Sequence, residues 1–569
     1  MKHFTIFILL VFSYSVGTAQ IFPARNYPQG YFRNPLAIPL ELSTNFGEIR
    51  TNHFHMGFDI RTAQKENLPV YASAEGYISR VKIEKGGFGR AIYITHPNGY
   101  TTLYAHLNAF TKELDQYIKE CQYENEKWEQ DRVIPAKLFP VTKGQFIAFS
   151  GNTGASAGPH LHFEIRDTET ENLINPWLFN FNLADNIPPA LFALYLYDRR
   201  YSTYQVDPSR IAIKVSKGGY SSPTNEVVVG TPEFSFGITA EDKTNGSPFM
   251  FGIYEAEIWV DDSLRSAFRL NDLSYDEARY INGSIDYTSK MISGRSIHHL
   301  SRLPGNEMNI YSSRTGDGVV FLKDTLKHNV VINLRDAAGN KTKLEFKLRF
   351  DPARQKDLMF ATNSIALYPN KANQVKLDDV EITFPDNAFY DVVPFVAGSQ
   401  QSTDSRIVSE IHQLHNFSIP VHDSFSVRMK TTMAISDLLK DKVVMQLTSK
   451  NKKVAVKGLW SGDWMEAKLR ELGIVQLFLD TNQPTLRPLG AVSGNLSKAR
   501  AITFIVKDAE SDVKSFRAEL DGKWLMFSNR GDYFTYQFDE HCPPGLHELK
   551  VKVEDVAGNV TERNYSFTR

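Results

Sequence analysis

Gly76-Tyr-Ile-Ser-Arg-Val-Lys-Ile83 and Ala91-Ile-Tyr-Ile-Thr-His96 are two short runs rich in Ile, Val and Tyr, joined by Lys85-Gly-Gly-Phe-Gly-Arg90. β-branched and aromatic runs of this length, bounded by glycine, read as strands meeting at a hairpin. The glycine-rich joint lacks the Gly-Lys-Ser/Thr ending of a phosphate loop, so the hairpin turn is the better reading. Working outward, Leu68-Pro-Val-Tyr-Ala-Ser-Ala74 and Gln145-Phe-Ile-Ala-Phe-Ser150 have the same character. Between about Phe32 and Trp177 the chain therefore predicts an antiparallel β domain. One stretch departs from the pattern. Leu107, Phe110, Leu114, Tyr117, Ile118 and Cys121 recur at three- and four-residue spacing among polar residues, which predicts an amphipathic helix in an insertion over about 108–135. The plain reading of that helix is a packing element shaping one wall of the domain; the alternative is a lid or a partner-binding helix.

The chain has 569 residues, enough for three or four domains, and 42% apolar with 12% aromatic residues gives each one a core. Charge excludes one class of partner: 64 Lys and Arg against 65 Asp and Glu leave no bulk positive charge for nucleic acid. Cys121 and Cys542 can build neither a disulfide framework nor a zinc cluster, so a metal here must use histidines and carboxylates. Lys2 and His3, the apolar run Phe4 to Phe12, and Gly17-Thr-Ala19 predict a signal peptide over residues 1–19. No cysteine stands at the cut to carry a lipid, and no later segment has 18 consecutive apolar residues. The expected location is outside the cytoplasm: periplasm, cell envelope or secreted.

Beyond residue 190 the helical signal fades and a repeat emerges. Phe236-Gly-Ile-Thr-Ala-Glu-Asp242 with Tyr254-Glu-Ala-Glu-Ile-Trp-Val-Asp-Asp262 is echoed by Phe504-Ile-Val-Lys-Asp508 with Phe516-Arg-Ala-Glu-Leu-Asp-Gly522. The copies close on Asp336-Ala-Ala-Gly-Asn-Lys-Thr342 and Asp555-Val-Ala-Gly-Asn-Val-Thr561, where Gly-Asn suits the positive φ of a tight turn. These endings resemble bacterial immunoglobulin-like modules of surface and envelope proteins. The expected fold class is mainly β: a domain over 20–185, immunoglobulin-like β-sandwiches over 186–350 and 486–569, and between them a β-rich domain of no assigned type over 351–485.

Seven of the fifteen histidines precede residue 163, and four of those form two clusters. Arg50-Thr-Asn-His-Phe-His-Met-Gly-Phe-Asp59 sets His55 and Asp59 four apart; Gly158-Pro-His-Leu-His-Phe-Glu164 sets His160 and His162 two apart. In extended chain, residues two apart share a face about 6.6 Å from each other, so both pairs can converge on one metal. Singly the motifs are weak, since about 0.4 His-x-His pairs are expected by chance at this histidine content. Their conjunction in one β domain, with His106 in Tyr104-Ala-His-Leu107 between them, carries the weight. Spacing alone leaves His160 and His162 equal as ligands.

The two clusters, the Tyr-Ala-His-Leu segment and Ser150-Gly-Asn-Thr-Gly-Ala-Ser-Ala-Gly-Pro-His-Leu-His-Phe-Glu164 closely resemble the lysostaphin and LytM type of zinc metallopeptidase, which cuts peptide cross-links in peptidoglycan. The resemblance covers roughly residues 40–178, and the insertion departs from the shortest members. It implies one zinc ion per chain held by His55, Asp59 and His162, a set of three that leaves a fourth position for water as catalytic zinc sites do. It implies that His106 and His160 stand beside the metal water as the catalytic histidines, with the division of labour between them open. An HExxH helix is absent from the sequence, so a zincin-type Glu base is excluded. Glu164 reads equally as an orienting partner of His162 or a surface carboxylate, and Asn45 and Arg50 equally as groove residues or strand-end structure. His53 and His96 read as structural, and Tyr104 as core.

The function expected from these residues is an exported zinc endopeptidase acting on peptidoglycan stem peptides and cross-links, with the trailing β domains contacting the envelope or its proteins. Two alternatives stand beside it. One is a catalytically silent relative that binds the wall and activates or recruits another hydrolase. The other is an adhesin or assembly factor working through the immunoglobulin-like half, which would survive His162→Ala.

Overall fold

The computed structural model describes residues 21–358 and 363–569, so the expected signal peptide lies outside the described residues. Twelve strands and one helix build the N-terminal part: β1 (Leu42–Thr44), β2 (Phe58–Arg61), β3 (Pro69–Tyr71), β4 (Gly76–Ile83), β5 (Arg90–Thr95), β6 (Tyr100–Ala105), β7 (Ala109–Phe110), α1 (Lys112–Glu124), β8 (Gln130–Val133), β9 (Pro140–Val141), β10 (Phe146–Phe149), β11 (His160–Asp167) and β12 (Leu173–Ile174). The main sheet is antiparallel in the order β1-β2-β11-β6-β5-β4-β8, and β3-β10-β7 form a smaller sheet.

β11 shows how the sequence sets the geometry. Leu161, Phe163 and Ile165 are fully buried on one face, in a core shared with Phe58, Ile92, Tyr104 and Phe179. Period two then places His160, His162, Glu164 and Arg166 together on the opposite face. Register brings in the rest: His162 stands opposite Asp59 of β2 on one side and Ala105 of β6 on the other.

The insertion helix is shorter than its apolar spacing suggested. Leu107 and Phe110 precede it, with β7 pairing to β10, and α1 starts only where Thr111 caps it by accepting from the Leu114 amide. Leu114, Ile118 and Cys121 then face the core.

Beyond β12 come β-sandwiches. The first has a five-stranded and a six-stranded sheet, the latter with a parallel pair between Gly219–Val229 and Lys341–Phe350. A second core gathers Leu367 to Leu477 and a third Val492 to Phe567. The sequence repeat has a hydrogen-bonded counterpart. Asp336 accepts from the Asn340 amide and Nδ2, as Asp555 does from Asn559. The Thr342 and Thr561 hydroxyls donate to the Pro189 and Pro484 carbonyls in the segment leading into each module. Gly339 and Gly558 take the positive φ of these turns, +100° and +76°.

The first sandwich is not a trailing appendage. Its core includes Phe46, Phe54, Met56 and Leu173 from the N-terminal part, and its strand Asp272–Leu273 pairs with β12 as an extension of the main sheet. No described helix is long and apolar enough to cross a membrane.

Candidate metal centre

Three atoms meet at the site face of β11. Asp59 Oδ1 lies 3.0 Å from His55 Nε2 and 2.9 Å from His162 Nδ1, and the two nitrogens are 3.2 Å apart. Asp59 and His162 are brought together by the β2–β11 register. His55 is outside the strand: the chain bends at Gly57, where an added Cβ would come within 2.6 Å of the Phe163 carbonyl and 3.0 Å of His162 Cε1. The expectation that extended chain alone would align His55 with Asp59 is therefore replaced by a bend that lies so close to β11 that a side chain at position 57 would force its neighbours to move.

The outward nitrogens define the inward ones. His55 Nδ1 donates to the Asn45 carbonyl at 2.8 Å, and His162 Nε2 donates to Glu164 Oε1 at 3.0 Å. A neutral imidazole whose N–H is spent outward presents a bare lone pair inward. Two such lone pairs and a carboxylate oxygen packed 2.9–3.2 Å apart repel unless a cation sits among them, and those separations approach the roughly 3.3 Å edge of a tetrahedron with about 2.0 Å metal–ligand bonds. The donor set therefore fits zinc: two imidazoles, one carboxylate, and the outer hydrogen bonds that fix each ring. Burial pushes the His162 imidazole down, but Asp59 and Glu164 together outweigh it and raise it to about 9. Burial works against the Asp59 charge too, yet the three histidines around it hold its carboxyl well below the usual range.

His160 and His106 complete the face. His160 Nδ1 donates to the Gly158 carbonyl at 2.8 Å, turning Nε2 inward, 3.4 Å from Asp59 Oδ1. His106 Nδ1 donates to the Thr153 carbonyl at 2.8 Å, and its ring lies 4.7 Å from that of His160. His106 takes φ +60°, a left-handed conformation uncommon outside glycine and found where surrounding structure enforces it. Burial, with His162 and His160 nearby, lowers it to about 3.

Glu164 is fully buried, which removes the surface reading; Arg166 grips its Oε2 with Nε and Nη2 at 2.8 and 2.6 Å. Asn45 is structural, its Oδ1 accepting from the Gly252 amide at 3.2 Å, and Arg50 bonds Thr44 at the strand end. His96 is buried between the Glu75 carbonyl and Thr102, His53 lies exposed, and the Tyr104 hydroxyl accepts from Ser73 in the core. Phe88, read only as part of a turn, is brought by that hairpin to 5.7 Å from the His162 ring. Its aromatic character amid glycines was the one available signal.

Comparison with known proteins agrees. The profile of Peptidase family M23 matches residues 53–123 and 138–176, breaking where α1 ends and β8 runs, and a Zu5-like domain profile matches residues 364–480. The DD-carboxypeptidase/endopeptidase Mpg of Neisseria meningitidis serogroup B is 38% identical over 118 residues, 21% of this chain and 21% of that one. The peptidoglycan DD-endopeptidase ShyA of Vibrio cholerae is 26% identical over 178 residues, 30% and 35% of the two chains. The catalytic domain of lysostaphin from Staphylococcus simulans aligns at 22% identity and TM-score 0.19, covering 24% of this chain and 92% of that one. The match thus spans about a fifth to a third of these two relatives. The N-terminal part of the chain is an M23 peptidase domain of the lysostaphin/LytM type. A Zu5-like domain and further β-sandwiches follow it.

Proposed function

We propose that this chain is an exported zinc metalloendopeptidase that hydrolyses peptide cross-links of peptidoglycan. His55, Asp59 and His162 would hold the ion, which when bound polarises a scissile carbonyl and lowers the pKa of water towards about 7. The chain's own residues supply aim and proton transfer. Asn45 and Glu164 fix the two ligand rings; His106 and His160, each anchored through Nδ1 to a carbonyl, stand beside the site, where one of them can take a proton from the attacking water and return it to the leaving amine. The DD-endopeptidase relatives support peptidoglycan stem peptides as the substrate class. On this reading the chain divides near 185, 350 and 485, and the later domains contact the envelope or its proteins.

The observation that carries the proposal is the set of three imidazole nitrogens, from His55, His160 and His162, turned towards Asp59 Oδ1 within 2.9–3.4 Å, each ring fixed by its other nitrogen, with the His106 ring beside them. Purified peptidoglycan digested by residues 20–569, with and without chelator, is compared with His162→Ala by mass analysis of the products. New cleaved cross-links from the wild type alone, lost on chelation, are expected. Equal product from both proteins would overturn the assignment.

A further inference from the structure

Glu164 has a donor from outside the peptidase domain. Pairing of Leu273 with Leu173 and Asp272 with Ile174 fixes the path of the first sandwich beside β12, and the chain immediately beyond crosses the site face of β11. There Tyr275 donates its hydroxyl to Glu164 Oε1 at 2.8 Å, the same oxygen that accepts from His162 Nε2. Its ring covers the Arg166 guanidinium at 5.3 Å and stands 6.3 Å from Phe88. Glu164 thus receives four donors: two from Arg166 on Oε2, and His162 and Tyr275 on Oε1. The other ligand histidine is tied in the same way, since Asn45, whose carbonyl orients His55, is itself held by the Gly252 amide of the sandwich.

We infer that Tyr275 is a positioning residue of the metal centre and that the first sandwich is a structural part of that centre. Arg166 alone fixes Oε2 but leaves the carboxylate free to rock about that grip; the Tyr275 hydroxyl pins Oε1 and with it the direction from which His162 is held. Outer partners of metal-binding histidines commonly govern affinity by tenfold to a hundredfold, and a residue one bond further out acts through them more weakly. Seating of the sandwich is thereby coupled to the aim of His162. This inference rests on the metal-centre reading given above.

The test uses residues 20–569 as wild type, Tyr275→Phe and Glu164→Gln. Zinc affinity is read by competition with a chromogenic chelator, the cobalt(II)-loaded protein by its visible spectrum, and the metal-free protein by thermal unfolding. Tyr275→Phe keeps the ring over Arg166 and removes only the hydroxyl. It should weaken zinc binding about threefold to tenfold and alter the cobalt spectrum, with metal-free melting unchanged, while Glu164→Gln should weaken binding about tenfold to a hundredfold. A wild type that binds one ion, beside a Tyr275→Phe protein of equal affinity and spectrum, would overturn the role of Tyr275 and leave the metal centre standing. Weaker binding accompanied by a lowered metal-free melting temperature would reduce Tyr275 to a structural contact and overturn it equally. A wild type that binds no ion would bring down the metal-centre reading itself.

Discussion

Tyr123 and His541 stack face to face, ring centroids 3.6 Å apart and planes 4° from parallel, joining the insertion helix of the peptidase domain to the last sandwich. Lys119, one turn earlier on α1, pairs with Asp539 and Glu540 at 2.6 and 2.7 Å, and Glu126 just past the helix pairs with Arg517 at 2.8 Å. The face of α1 turned away from its own core is thus covered by a domain at the far end of the chain. Lys119→Glu combined with His541→Ala should release this contact, since it removes the stack and sets like charges together, at a cost of about 1–2 kcal/mol. Small-angle scattering should show a larger radius of gyration; an unchanged profile would mean the last sandwich is held by its other contacts.

A truncated chain of residues 20–185 should fail to form the metal centre. Phe54 and Met56 flank His55, and both pack with Phe46 and Leu173 into a core whose other members belong, Tyr390 apart, to the first sandwich, among them Ile253, Leu270 and Ile310. Deleting the sandwich exposes these side chains, each worth about 1.5–3 kcal/mol when buried. Residues 20–185 should bind a hydrophobic dye and hold no zinc, whereas residues 20–350 should bind one ion. A well-folded, zinc-binding 20–185 fragment would contradict this.

Substituting Gly57 by alanine should damage the site more than the fold. Its Cβ would press on the Phe163 carbonyl at 2.6 Å, His162 Cε1 at 3.0 Å and Glu164 Cγ at 3.1 Å. The carbonyl belongs to β11, hydrogen-bonded on both sides, so relief requires the Gly57 segment to move away from β11, which carries the flanking His55 and Asp59 away from His162. The expected result is zinc affinity reduced more than tenfold, with stability lowered by about 1–3 kcal/mol as for overpacking. Zinc titration beside circular dichroism checks it; full affinity would show that the backbone yields without displacing His55 and Asp59 from His162.

What the sequence disclosed follows from interaction range. The strand period of β11 puts His160, His162 and Glu164 on one face by local geometry, so their grouping was legible from spacing. The β2–β11 register that meets Asp59 with His162 was not, and the resemblance supplied it. Tyr275 was hidden altogether: Leu273-Ser-Tyr-Asp276 carries no motif, and its place over Glu164 arises from a strand pairing between residues 100 apart in the sequence, Leu173 and Leu273. Leu107 and Phe110 misled because core-facing positions of a strand, a cap and a helix in succession mimic one long helical stripe. The Asp-x-Ala-Gly-Asn turns were readable because their hydrogen bonds close within five residues, whereas residues 364–480 have no such local signature and were placed only by their Zu5-like profile.

The buried histidines of the first sandwich set a direction for pH dependence of stability outside the metal centre. His298 is buried, with its ring stacked 5.8 Å from Phe268; burial, then His299 and Lys290, lowers it to about 4. An unfolded histidine titrates near 6.5, so above that pH both states are neutral and His298 adds no pH dependence. Between about 6.5 and 4 the unfolded chain takes up a proton that the folded chain refuses. Stability therefore falls with pH across this window, by up to about 1.4 kcal/mol per unit for this group. His298→Phe keeps an aromatic ring over Phe268 and removes the titration, so the difference in unfolding free energy between variant and wild type should be flat above pH 7 and grow in the variant's favour from pH 6.5 to 4.5. Denaturant titrations at fixed pH, in excess chelator to silence the metal centre, measure that difference; a constant gap across the range would mean that His298 accepts its proton in the folded state.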